Sequence, residues 1–169
     1  RVDCEKIVMN SSSIITASSD YETNLIINNY NIDEKNIRKI SPGIDREIFT
    51  YDSNLERENI LLSVGRIQEQ KRQIDVVKEL NIGSNIEFLG NLTQAEIKLL
   101  MNKSKLLIHT SQYETFGLVA IEANTMGVPV LTTNTGSLTE IIEHNKNGYI
   151  SSKLIDGKVN NFVKNLLTD

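Results

Sequence analysis

The chain has 169 residues, long enough for one domain or for one domain with a piece of another, and it can bury a core without staples. Hydrophobic residues make up 39% and charged residues 24%, and the net charge of −4 supplies no broad basic field for holding a nucleic acid. A single cysteine, Cys4, excludes an internal disulfide framework and a cysteine metal cluster, and is expected to be a small buried or half-buried filler.

Short β-branched runs alternate with segments of helical period, the pattern of a parallel sheet with crossover helices. In chain order the expected strands are SIITAS, IRKIS, ENILLSVG, NIEFLG, SKLLIHTS, VPVLTT and GYISS. The expected helices between and around them are CEKIVMN, YETNLIINNY, QIDVVKEL, QAEIKLLMNK, GLVAIEANTM, LTEIIEH and KVNNFVKNLL. Ile74, Val77 and Leu80 recur at helical spacing, as do Ile97, Leu100 and Met101, so each helix has a face to lay on a sheet. Thr93 followed by Glu96 is a capping-box arrangement. The stretch TYDSNLEREN is expected to be a polar linker, with a domain boundary near residue 50. The chain opens with Arg1, shows no charged-then-apolar leader, and never approaches the roughly 18 to 20 apolar residues needed to cross a bilayer, which suggests a cytoplasmic setting.

Many functions use such a sheet, so missing fingerprints matter. G-x-G-x-x-G and the P-loop pattern are absent, as are H-E-x-x-H and G-x-S-x-G. His109 is expected on a strand near a pocket wall and His144 in a solvated loop, which leaves metal and nucleophile chemistry without support.

Two segments carry candidate chemistry. In SVGRIQEQKRQIDVV a buried strand is expected to end at Gly65, and Arg66, Lys71 and Arg72 then crowd a helix start whose dipole disfavours cations. A bound phosphate would reverse that sign, and such sheets bind ligands at the carboxyl ends of their strands. A solvated basic turn, partly neutralised by Glu69, is the plainer alternative. In SQYETFGLVAIEANTMGVPV a helix beginning near Phe116 or Gly117 offers unpaired amides, and Gly117 would let a ligand come close to the backbone. Glu114 precedes that helix and Glu122 lies inside it, about 7 to 8 Å along the axis from Gly117 at a rise of ~1.5 Å per residue. Carboxylates flanking an anion-binding helix start suit a nucleotide sugar, with sugar hydroxyls at one end and ribose hydroxyls at the other. Two exposed helix-end glutamates remain the alternative.

Taken in order, SPGIDREIF, ILLSVGRIQEQKR, IEFLGNLTQAEIKLLMNKSKLLIHTS, ETFGLVAIEANTMGVPV and GSLTEIIEHNKNGYI resemble the C-terminal half of retaining glycosyltransferases of the GT-B architecture, the large group called family four or glycosyl transferases group 1. The resemblance implies an α/β fold, a Rossmann-like parallel sheet with helices on both faces that forms one half of a GT-B enzyme. It makes residues 1–50 the tail of an amino-terminal domain with its linker, and residues 51–169 the C-terminal domain that binds the nucleotide-sugar donor. It assigns catalytic roles to Arg66 and Lys71, on the donor diphosphate, and to Glu114, on the donor sugar. It assigns donor contacts to Gly65, Leu92 beside the base, Phe116, Gly117, Leu118, and Glu122 on the ribose.

The implied activity is that of a hexosyltransferase passing a sugar from a UDP- or GDP-linked donor to a glycan, lipid or small-molecule acceptor, with no metal and no cofactor. The acceptor site would belong to the amino-terminal domain, through which the enzyme could lie peripherally on a membrane, and this chain alone is expected not to turn over. A noncatalytic nucleotide-sugar-binding module and a nucleotide-sugar epimerase are the rival readings. One departure stands out: Lys71 and Phe88 are only 17 positions apart, where the family has a further glycine-ended strand and a helix. Losing an interior strand would leave a gap in the sheet, so an omission from the chain is expected ahead of a rewired fold.

Overall fold

A computed structural model of the chain describes residues 2–80, 85–154 and 157–168. It opens with α1 (Val2–Ser11), β1 (Ile15–Ala17), α2 (Asp20–Tyr30) and β2 (Ile37–Lys39). There follow β3 (Glu58–Leu62), α3 (Gln73–Leu80), α4 (Gln94–Lys103), β4 (Ser104–His109), α5 (Leu118–Thr125), β5 (Val130–Thr133), α6 (Leu138–Ile141), β6 (Gly148–Ser151) and α7 (Gly157–Thr168). All strand pairs are parallel: β1 with β2 in one sheet, and β3-β4-β5-β6 in that order in the other.

The four-stranded sheet is covered on both faces, and the strand period of two divides the apolar residues between them. From β4, Leu107 joins Val130 of β5, Met101 of α4, Ala120 and Ala123 of α5 and Leu138 of α6. Its neighbours Leu106 and Ile108 join Leu131 of β5, Val76 of α3, and Val159 and Val163 of α7. The fold is therefore the α/β, Rossmann-like sheet with helices on both faces that the resemblance implied. A separate small core of Ala17, Ile26, Ile32 and Ile37 holds the first four elements together.

The stretch TYDSNLEREN is polar but firmly tied. Asn102, almost wholly buried, accepts from the Asp52 amide at 2.9 Å and donates to the Thr50 carbonyl at 3.1 Å. Arg57 donates to the carbonyls of Ser104 at 2.6 Å and Met126 at 2.7 Å, satisfying backbone oxygens left over where α4 and α5 end. Packing in the larger core begins ahead of residue 50, with Ile44, Ile48 and Phe49.

The strand expected in NIEFLG does not form. Residues 85–90 carry no regular structure, and Phe88 is 68% exposed. Parallel strands form only against a partner edge, and β3 pairs with β4 alone, so the described residues offer no intervening strand to receive this segment. Three smaller expectations also change. β3 stops at Leu62 and not at Gly65; α3 packs through Val76 and Leu80 while Ile74 stays exposed; and Cys4 is exposed rather than a filler.

Candidate functional site

Beyond β3 the chain reaches Gly65, whose φ of 145° few other residues would adopt, then the exposed Arg66 and a 3-10 turn over Glu69–Lys71. Beyond β4 the chain runs through Thr110 and Ser111, both buried, into the loop that carries Glu114. The two exits are stitched together: the Gln112 amide donates to the Gln70 carbonyl at 2.8 Å, and the Thr110 hydroxyl reaches the Lys71 carbonyl at 3.5 Å. Lys71 Nζ stands 3.1 Å from Glu114 Oε2. The basic turn and the loop ahead of α5 thus share one place at the carboxyl end of the sheet.

Glu114 is the centre of that place. Its Oε2 also lies 3.0 Å from Nε2 of the buried His109. The hydrogen bond from His109, ahead of that from Lys71, holds the Glu114 carboxyl at about 2 against burial, which acts in the opposite direction. The group is therefore a carboxylate throughout the physiological range, an acceptor only, and its Oε1 makes no hydrogen bond among the described residues. The neutraliser expected for the basic turn, Glu69, is not the partner found: Lys71 pairs with Glu114, and Arg72 with Asp75 at 3.6 Å. Arg66 makes no side-chain hydrogen bond or ion pair among the described residues, and its carbonyl accepts from Gln73 Nε2 at 3.1 Å.

α5 starts at Leu118, with Gly117 as its left-handed N-cap at φ 86°. The Ala120 and Ile121 amides donate to the Gly117 carbonyl at 3.0 and 3.4 Å, which leaves those of Leu118 and Val119 without an acceptor within the helix, at the positive end of its dipole. Gly117 is required for a second reason that the sequence did not disclose: a Cβ there would stand 2.6 Å from Leu138 Cδ2. Phe116 is half-buried and Leu118 exposed. Glu122, four residues into the helix after Leu118, is half-buried with no side-chain partner among the described residues, and burial raises its pKa. Leu92 is half-buried just ahead of Thr93, the N-cap of α4, and no hydrogen bond or ion pair ties it to the Lys71–Glu114 pair.

Sequence reasoning missed the loop after β5. Gly136, at φ 58°, lies so close to the Glu114 carbonyl that a Cβ would sit 2.0 Å from it, and the Ser137 amide donates to that oxygen at 3.3 Å. The buried Ser137 hydroxyl has no hydrogen-bond partner among the described residues. It missed, too, the clasp to the first four elements. Ser19 Oγ donates to the Thr115 carbonyl at 2.7 Å, and the Glu140 carboxylate accepts from the Asp20 and Tyr21 amides at 3.0 and 2.8 Å, so it caps α2 from across the chain. A glycine between the expected strand VPVLTT and the expected helix LTEIIEH was the only local signal available for the first; nothing local announced the second.

The sequence pattern of the family described as glycosyl transferases group 1 matches residues 47–167. This chain belongs to that family. An uncharacterized glycosyltransferase of Methanocaldococcus jannaschii is 33% identical over 107 residues, 63% of this chain and 27% of that protein. Among solved structures, sucrose-phosphate synthase from Thermosynechococcus elongatus superposes with a TM-score of 0.81 at 21% identity, over 99% of this chain and 52% of that one. Anabaena HepE in complex with UDP gives a TM-score of 0.79 at 19% identity, over 96% of this chain and 56% of that one. At these identities the two structures share the fold. The group 1 chain described here spans about a quarter of its Methanocaldococcus relative and about half of each solved neighbour.

Proposed function

We propose that this chain is the donor-binding domain of a retaining, metal-independent hexosyltransferase that uses a nucleoside-diphosphate sugar. The observation that carries the reading is the meeting of Lys71 with Glu114 beside the first amides of α5, which gathers cation, anion acceptor and helix dipole at one strand end. Arg66 and Lys71 supply counter-charge to the diphosphate in place of a metal. Glu114 accepts from sugar hydroxyls and Glu122, a half-buried carboxylate without a side-chain partner among the described residues, from the ribose. The bond between the anomeric carbon and the diphosphate oxygen breaks with its electron pair left on the diphosphate. The acceptor oxygen bonds to that carbon on the same face, and its proton passes to the departing phosphate oxygen. The chain's part is to stabilise the charge that grows on the leaving group.

HepE, which shares the fold, has been solved with UDP, and this favours a uridine or similar nucleotide as donor. Ile7 and Val8 of α1, Ile14 just before β1 and Ile40 just after β2 are exposed, and a two-stranded sheet is marginal unless more structure packs on it. An amino-terminal domain carrying the acceptor site fits there. No helix among the described residues is long and apolar enough to cross a membrane.

The test is a thermal-shift and calorimetric screen of UDP, GDP and ADP with their glucose and mannose conjugates. One nucleotide family should stabilise the protein, and Arg66→Ala or Lys71→Ala should weaken its binding by about tenfold, more than loss of an exposed surface charge does. Absence of binding across the panel, or unchanged affinity in both folded variants, would refute the donor reading.

A further inference from the structure

β4 ends on an imidazole where the alternation of the sheet calls for an apolar side chain. Leu107 faces the larger core, so His109, two positions on, belongs to the same face, and its side chain is only 5% exposed. A polar ring buried in such a place is costly unless hydrogen-bonded. Its partner is Glu114: Nε2 to Oε2 is 3.0 Å, with the Ser111 hydroxyl 3.5 Å from the same nitrogen. The strand neighbour of His109 on β5 is Thr132, which is uncharged. The charged groups at this corner are thus Glu114 and, on the same carboxylate oxygen, Lys71.

Exposure rises outward along this chain of contacts, from 5% for the His109 side chain to 16% for Glu114 and 25% for Lys71. The two donors on Oε2 are therefore unequal. Lys71 is a point charge on a long flexible stem, whereas His109 is fixed by the sheet and by its own burial. A diphosphate draws the lysine toward itself, and Oε2 then keeps a single partner.

We propose that His109 is a positioning residue, its Nε2–H holding Oε2 of Glu114 so that the carboxylate stays aimed at the donor sugar when Lys71 turns to the diphosphate. The inference rests on the nucleotide-sugar reading above and adds to it a residue that never touches the ligand. Donation from Nε2 also fixes the ring tautomer, with Nδ1 as the second nitrogen.

The test compares affinity for a nucleoside diphosphate with affinity for its sugar conjugate, measured by calorimetry on the whole chain with UDP and UDP-glucose, GDP and GDP-mannose, and ADP and ADP-glucose as probes. His109→Leu should lower affinity for the sugar conjugate about tenfold more than for the bare diphosphate, the size expected for a hydrogen bond to a charged group. His109→Gln, whose amide can reach the place of Nε2, should restore most of the difference. His109→Asn, which is too short, should not, and this polar pair keeps the test alive if the leucine variant does not fold. Equal losses for conjugate and diphosphate, or identical binding by the Gln and Asn variants, would overturn the inference alone. A wild-type chain that binds none of the probes would overturn the donor reading and this inference with it.

Discussion

Replacing Glu114 by glutamine should flatten the acid limb of the stability curve. The wild-type carboxyl sits at about 2 in the folded chain against an ordinary 4.5. A gap of roughly 2.5 at 1.36 kcal/mol each corresponds to about 3 kcal/mol, which is an upper figure because the side chain keeps some contact with water. Because the folded value is the lower one, the contribution is complete above an unfolded value of about 4.5 and drains away as pH falls from there toward about 2. Urea unfolding followed by circular dichroism at about pH 7, 5, 4 and 3 would measure it. Glu114→Gln should be less stable at neutrality, since His109 and Lys71 lose their anion, yet should fall by roughly 2 kcal/mol less than wild type between about pH 6 and pH 2.5. Every other carboxylate is common to both chains, so parallel curves would refute the claim that His109 and Lys71 hold this group ionised.

Two further outcomes follow from the same corner of the fold. Gly117→Ala combines a backbone at φ 86° with a contact of 2.6 Å to Leu138, and should cost about 2 to 4 kcal/mol in a denaturant titration; a loss under about 1 kcal/mol would mean that Leu138 gives way freely. Glu122→Gln should weaken ribonucleoside diphosphates about tenfold while leaving their 2′-deoxy counterparts within about threefold, and equal losses for both would remove its ribose role.

Most of the scaffold was legible because its determinants are local. QAEIKLLMNK, for example, shows its capping box as letters, and Thr93 and Glu96 close it as expected. The alternation of LLI before His109 sorts cleanly between the two faces of the sheet. What failed depended on partners far along the chain. NIEFLG has the composition of a strand, but a strand exists only beside another, and the edge it needed is not supplied among the described residues. Lys71 and Glu114 each stood out in the sequence as candidates, but their pairing did not, because 43 positions separate them and the parallel register of β3 and β4 brings their exits together. His109 read as pocket wall for the same reason: its carboxylate partner comes from a loop whose path is set by Gly136 against the Glu114 carbonyl.

The clasp between the two cores has a mechanical consequence. Ser19 grips the Thr115 carbonyl, one residue before Phe116, and Glu140 grips the head of α2 from the helix next along from the Gly136 loop. A tilt of α2 would therefore pull, through these hydrogen bonds, on the segment between Glu114 and Gly117 at the mouth of the sheet.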